Sequence, residues 1–206
     1  MQAKIQISQK AQCRIISIYF LLGYIGILFE MFFQFIDSTL NVRAIFITET
    51  LFTSLYSIVS LIFTPFTLIY YHSLPSQLFD NNHPVLDSGL FMSMSFLIGI
   101  VLILAFENLR RMLLSTLLAQ KSRTQVYKHV YRIALFLGIV CIIIATTELL
   151  QGTIATGLTL GVILSSIMTP LTGVSALPSI LLIMTVITGT ILKKSGSIKD
   201  ELDKII

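Results

Sequence analysis

A chain of 206 residues that is 55% hydrophobic and only 12% charged is too apolar for a soluble domain of its size. A net charge of +4 would suit a nucleic-acid binder, but no recognition motif accompanies it, so no nucleic-acid partner is expected. The two cysteines, Cys13 and Cys141, show neither metal-ligand spacing nor a disulfide framework.

The first apolar run, Ile15–Ile36, follows Lys4, Lys10 and Arg14. It is longer than a signal-peptide core and lacks an Ala-x-Ala exit, so it reads as a retained first span. Glu30 sits inside it, between Phe29 and Met31. The second run, Ala44–Tyr71, carries Glu49, Thr53, Ser57, Ser60, Thr64 and Thr67 on one weakly polar helical face, with Ile47, Leu51, Leu55, Ile58 and Ile62 opposite. Two readings stay open: an element lying in the outer interface or re-entering the membrane, or a span whose hydroxyl face packs on a neighbour. Pro65 disfavours helix at Thr64 and predicts a bend or an end there. In the following loop, His72, Asp80, His83 and Asp87 are residue types that bind divalent metals. Their spacing, amid Asn81, Asn82 and Pro84, reads as a solvated turn, and no metal is expected.

Gly89–Phe106 is the next span. It leads into residues 107–132, a basic loop of helical extensions with Arg110, Arg111, Lys121, Arg123, Lys128 and Arg132 alongside Leu113, Leu114, Leu117 and Leu118. Ile133–Leu150 follows, with Glu148 near its end. Thr153–Met168 is apolar but rich in small residues. Thr153, Gly157, Gly161, Ser165 and Thr169 recur every four positions, the pattern of a close-packing helix face. This run reads as an outer-side partial insertion, with Pro170, Gly173 and Pro178 marking the bend after it. Leu177–Leu192 is the last span, and residues 193–206 form a charged tail.

Positively charged loops stay cytoplasmic. With four crossings and a cytoplasmic N-terminus, all 14 Lys and Arg except Arg43 lie inside. If Ala44–Tyr71 crosses as well and the N-terminus is outside, 11 lie inside and three outside. The charge rule favours the first arrangement. The expected fold is all-α: one polytopic transmembrane helical bundle over residues 1–206, with about four spans plus one or two non-spanning or re-entrant apolar segments, both termini being cytoplasmic.

An ionisable residue within a span is costly and frequently functional. Glu30 and Glu148 are therefore the candidate ion or proton site, against the plainer reading of carboxylates hydrated near the outer interface. The basic residues Arg110, Arg111, Lys121, Arg123 and Lys128 form the candidate cytoplasmic surface, facing either a docking protein or anionic lipid. There is no Gly-x-Ser-x-Gly, no His-Glu-x-x-His, no phosphate-cradling glycine loop and no paired intramembrane aspartate. No enzyme activity and no cofactor are expected.

Two stretches carry a family resemblance: Leu109-Arg110-Arg111-Met112-Leu113, and the segment from Ile191-Leu192-Lys193-Lys194 through Ser195-Gly196-Ser197-Ile198-Lys199-Asp200-Glu201. Together they resemble the bacterial four-span membrane family catalogued as domain of unknown function 2975. The resemblance covers about the second half of the chain. In place of that family's Pro-Phe turn, the loop has Ala119-Gln120-Lys121-Ser122-Arg123. It implies a bacterial plasma-membrane location and a possible regulatory protein partner. The expected function is a non-enzymatic multi-pass inner-membrane protein acting through protein or lipid contacts, oligomeric state open. The alternative is a small transporter or channel subunit using Glu30 and Glu148.

Overall fold

The computed structural model describes residues 9–40, 65–70, 72–74, 86–117, 123–172 and 176–202. The runs Ile15–Ile36, Gly89–Phe106, Ile133–Leu150 and Leu177–Leu192 each fall inside a helix, whereas Thr153–Met168 is divided between two. The helices are α1 (Gln9–Leu40), a short helical stretch α2 (residues 65–70), α3 (Leu86–Leu117), α4 (Arg123–Thr156), α5 (Leu160–Met168) and α6 (Ala176–Leu202), with a 3₁₀ turn at Thr169–Leu171 between the last two. No strand occurs among the described residues. In a hydrocarbon environment a helix satisfies its own backbone groups, so long uncharged runs settle in that form. Among the described residues, Gln9–Phe32, Val126–Ile154 and Ala176–Ser195 are long and apolar enough to cross a membrane. Residues 107–132 are mostly helix too: α3 runs on to Leu117 and α4 begins at Arg123. Similarly, α6 carries the basic tail as far as Leu202.

Helix direction is readable from side-chain pairs. Arg110 reaches Ser17, Glu107 reaches Tyr24, and Met31 lies against Gly99. As residue numbers rise along α1 they fall along α3, so the two run antiparallel. The 118–122 link spans at most about 20 Å, whereas α3 is roughly 48 Å long and α4 packs along it; α4 therefore runs back alongside α3. The pairs Val130–Gly189, Tyr131–Thr190 and Cys141–Ser179 make α6 antiparallel to α4. The N-terminal ends of α1 and α4 and the C-terminal ends of α3 and α6 thus share one end of the bundle. Lys10, Arg14, Arg111, Lys128, Arg132, Lys193 and Lys194 are exposed there.

The core lies between α1, α2, α3 and α4, with Ile27, Phe66, Tyr70, Ile98, Leu102, Val140 and Ile144 buried. Its outside is apolar as well: Ile18, Leu135, Ile142, Ile183, Met184 and Ile191 are all more than half exposed. A surface of that kind is solvated by lipid rather than water. Threonine hydroxyls on α4 and α6, outside and inside the bundle, are satisfied within their own helices. Thr146, Thr147, Thr185 and Thr188 each donate to the carbonyl four residues back, at 2.6–2.8 Å.

Residues 65–70 and 72–74 pack into the bundle. The Phe66 ring packs on Tyr19, Phe20 and Phe106, at centroid distances of 5.2, 5.5 and 4.7 Å. It also sits over Gly23, where an added Cβ would come within 2.6 Å of the ring. Ser73 closes α2 by donating to the Ile69 carbonyl at 2.6 Å. Thr67, from the hydroxyl face noted above, is buried, while Leu68 is exposed. Residues 44–64, with the other members of that face, lie outside the described residues.

The small-residue stripe is corrected by the structure. It is not one helix face, because α4 ends at Thr156 and Gly157 takes a left-handed φ of 78°. The Gly157 N–H bonds the Thr153 carbonyl at 3.0 Å, and Thr159 caps α5 by accepting from the Val162 N–H at 3.3 Å. The close approach between the two helices falls instead at Gly152, whose added Cβ would lie 2.6 Å from Val162. With nine residues, α5 is about 13 Å long, under half of what a crossing requires.

Candidate functional site

Among the described residues, the buried and partly buried carboxylates mark three places in the helix bundle. The first is an ion-paired carboxylate, Glu107, at the basic end of α1 and α3. Glu107 Oε1 accepts from Arg110 Nη2 at 2.9 Å and Arg111 Nε at 2.8 Å. Its Oε2 accepts from Arg110 Nε at 2.8 Å and from the Tyr24 hydroxyl at 2.9 Å. Four donors fill a carboxylate's acceptor sites. Arg110 also reaches Ser17 Oγ at 3.4 Å, so one guanidinium joins α3 to α1. The hydrogen bond from Arg110 is the main cause of a Glu107 pKa held down to about 2; burial opposes it, and Arg111 and Tyr24 add to it.

This cluster divides the basic residues expected to form a docking surface. Arg110, its side chain 28% exposed, is an internal brace, whereas Arg111 is 62% exposed and meets Glu107 from outside. Lys128 is exposed on α4. Lys121 and the side chain of Arg123 lie outside the described residues. The i,i+3 and i,i+4 spacing of Glu107 to its two arginines is legible in sequence as a helical ion-pair pattern. Nothing in the sequence singles out Tyr24 or Ser17 as their partners across 83 and 93 residues.

The second place surrounds Glu30, whose residue is only 6% exposed. Its carboxyl lies near enough to the Tyr70 phenol to act on it electrostatically. Tyr70 is fully buried and shares a 2.7 Å hydrogen bond with Ser95 on α3. The α2 segment thus brings its phenol to a hydroxyl on α3, within electrostatic reach of a carboxylate on α1. Neither Tyr70 nor Ser95 stands out in the sequence, because both sit in apolar runs with no spacing signal.

The third place is Glu148, 8% exposed on α4. Gln151 follows one turn later, its Oε1 buried and without a hydrogen-bond partner among the described residues. Glu30 and Glu148 stand on different helices, α1 and α4, each of which packs on α3. No group of three or more metal-ligating side chains occurs among the described residues. His72 lies in the turn after α2, while Asp80, His83 and the side chain of Asp87 fall outside the description. Cys13 and Cys141 are free thiols; Cys141 Sγ lies 3.3 Å from Ser179 Oγ.

No protein-family model matches the chain, and searches of curated proteins and of solved structures return no match.

Proposed function

We propose that the chain is a four-crossing membrane protein, α3 being the fourth crossing, with its basic end in the cytoplasm. On this reading it works without catalysis, through contacts of that end with lipid and with a cytoplasmic or membrane protein. The observation that carries the reading is the antiparallel pairing of α1 with α3. A crossing by Ala44–Tyr71 would make α1 and α3 parallel. With the pair antiparallel, Leu40 and Leu86 lie at one end of the bundle, while Phe66 packs beside Gly23, about 25 Å along α1 from Leu40. A re-entrant Ala44–Tyr71 segment accounts for both. A bacterial plasma membrane and a regulatory partner rest on the resemblance of Leu109–Leu113 and the tail to the four-span family.

Single-cysteine accessibility at Asn41, Asn82 and Gln120, in a chain lacking Cys13 and Cys141, tests the topology. Labelling of Asn41→Cys and Asn82→Cys from outside, with Gln120→Cys protected, is the expected result. Labelling of Gln120→Cys from outside in intact cells would reverse the assignment. For docking, neutralising Arg111 and Lys128 is the informative change, since Arg110 also braces α1. Partner copurification is expected to drop in that variant while insertion is unchanged.

The burial of Glu30 and Glu148 supports a second reading, a transporter or channel subunit using these two carboxylates. Ion or proton flux in proteoliposomes that disappears in Glu30→Gln is its signature. Sealed vesicles with no flux across a panel of ions would eliminate it.

A further inference from the structure

We infer that the α1–α3 seam at the basic end is a binding site for one anionic phospholipid, its phosphodiester held by Arg14 and Ser17. The inference rests on the membrane-surface reading of that end. A shallow groove of about 320 Å³ lies there, lined by Cys13, Arg14, Ser17, Ile18 and Leu114. Its charge is not spent. Glu107 occupies Arg110 and Arg111, whereas Arg14 is exposed and, among the described residues, pairs with no carboxylate. A guanidinium presents a planar fork that matches two phosphate oxygens. Ser17 complements it. Its oxygen already accepts from Arg110, and among the described residues its own proton is bonded to nothing, so it is free to donate to a phosphate oxygen.

The groove also fits the apolar part of such a ligand. Arg14 heads a single exposed helix face that continues as Ile18, Leu21, Ile25, Leu28 and Phe32. From Ile18 to Leu28 is about 15 Å at the α-helical rise, which is one leaflet of a roughly 30 Å hydrocarbon core. A cation at the head of a leaflet-long apolar stripe is complementary to a lipid with an anionic head and acyl tails. A soluble phosphate would use only the polar half of the site.

Cys13, in the groove wall, is a native reporter. The test places the full-length Cys141→Ser chain in phosphatidylcholine nanodiscs, with and without phosphatidylglycerol, and follows alkylation of Cys13 by an uncharged maleimide. An occupancy of about four-fifths slows labelling about fivefold. That slowing is expected with phosphatidylglycerol, abolished in Arg14→Gln and retained in Lys128→Gln. Equal rates in the two lipids would overturn the site, as would an Arg14→Gln chain that keeps the slowing. If inorganic phosphate in phosphatidylcholine discs protects Cys13 as well as phosphatidylglycerol does, the lipid is the wrong occupant. Both leaflets of a nanodisc carry the same lipid, so the result is independent of orientation. A failed topology and a failed lipid site are thereby told apart.

Discussion

Glu107 takes hydrogen bonds from Tyr24, Arg110 and Arg111, and its ionised form is what these donors hold. The sign of its pH effect follows from this. Its folded-state pKa lies near 2, below the ordinary 4.5, so the stabilisation is complete above about pH 4.5 and is lost as pH falls from there towards 2. Glu107→Gln is expected to lower the unfolding temperature in detergent at neutral pH. The gap to wild type should close between about pH 4.5 and 2; a constant gap would show that the carboxylate's charge is not what braces α1 to α3. Gly23 makes a steric argument of similar sharpness. Any Cβ there meets the Phe66 ring at 2.6 Å, so Gly23→Val should cost about 1–3 kcal/mol as an overpacking change. Much of that loss should return when Phe66→Ala is added, as a double-mutant unfolding cycle would show.

At the scale of elements, the helices were legible because apolar runs of span length have one economical form in hydrocarbon. Ile15–Ile36, Gly89–Phe106, Ile133–Leu150 and Leu177–Leu192 all fall inside helices that extend beyond them. The helical extensions through the basic loop were legible for a related reason: Leu113, Leu114 and Leu117 continue the apolar face of α3. The four-residue small stripe misled because a fixed spacing describes one face only where the helix is unbroken, and Gly157 breaks it. A left-handed residue between two apolar helices leaves no periodic trace. Gly157→Ala is expected to cost about 1–2 kcal/mol, since φ 78° strains any residue with a Cβ. The strain should appear as faster amide exchange in α5 with little change in α3. Uniform acceleration would mean that the turn holds more than its own helix.

For the whole molecule, what mattered was which helix ends lie together. Charge alone pointed to one face for nearly every Lys and Arg, and the antiparallel order of α1, α3, α4 and α6 brings the described ones together. The candidate sites were less legible. Glu30 and Glu148 announce themselves as charges in apolar runs, but Tyr70, Ser95 and Tyr24 join the polar clusters only through contacts between distant stretches of chain. The helix order has a direct check. With Cys13 and Cys141 removed, Ser17→Cys with Leu114→Cys is expected to crosslink, whereas Ser17→Cys with Ser95→Cys is not. The reverse outcome would make α1 and α3 parallel and restore the five-crossing arrangement.

The seat of Phe66 and Tyr70 also has an order in time. One wall is α1, through Tyr19, Phe20 and Gly23; the other is α3, through Ser95 and Phe106. Synthesis runs from the N-terminus, so when Phe66 and Tyr70 leave the ribosome only the first wall exists. The second is complete about forty residues later, several seconds at ordinary elongation rates. During that interval the Tyr70 hydroxyl has no Ser95 to bond. Until α3 follows, the side of Phe66 that meets Phe106 stays uncovered, so the seat is closed by the last of its walls to be made.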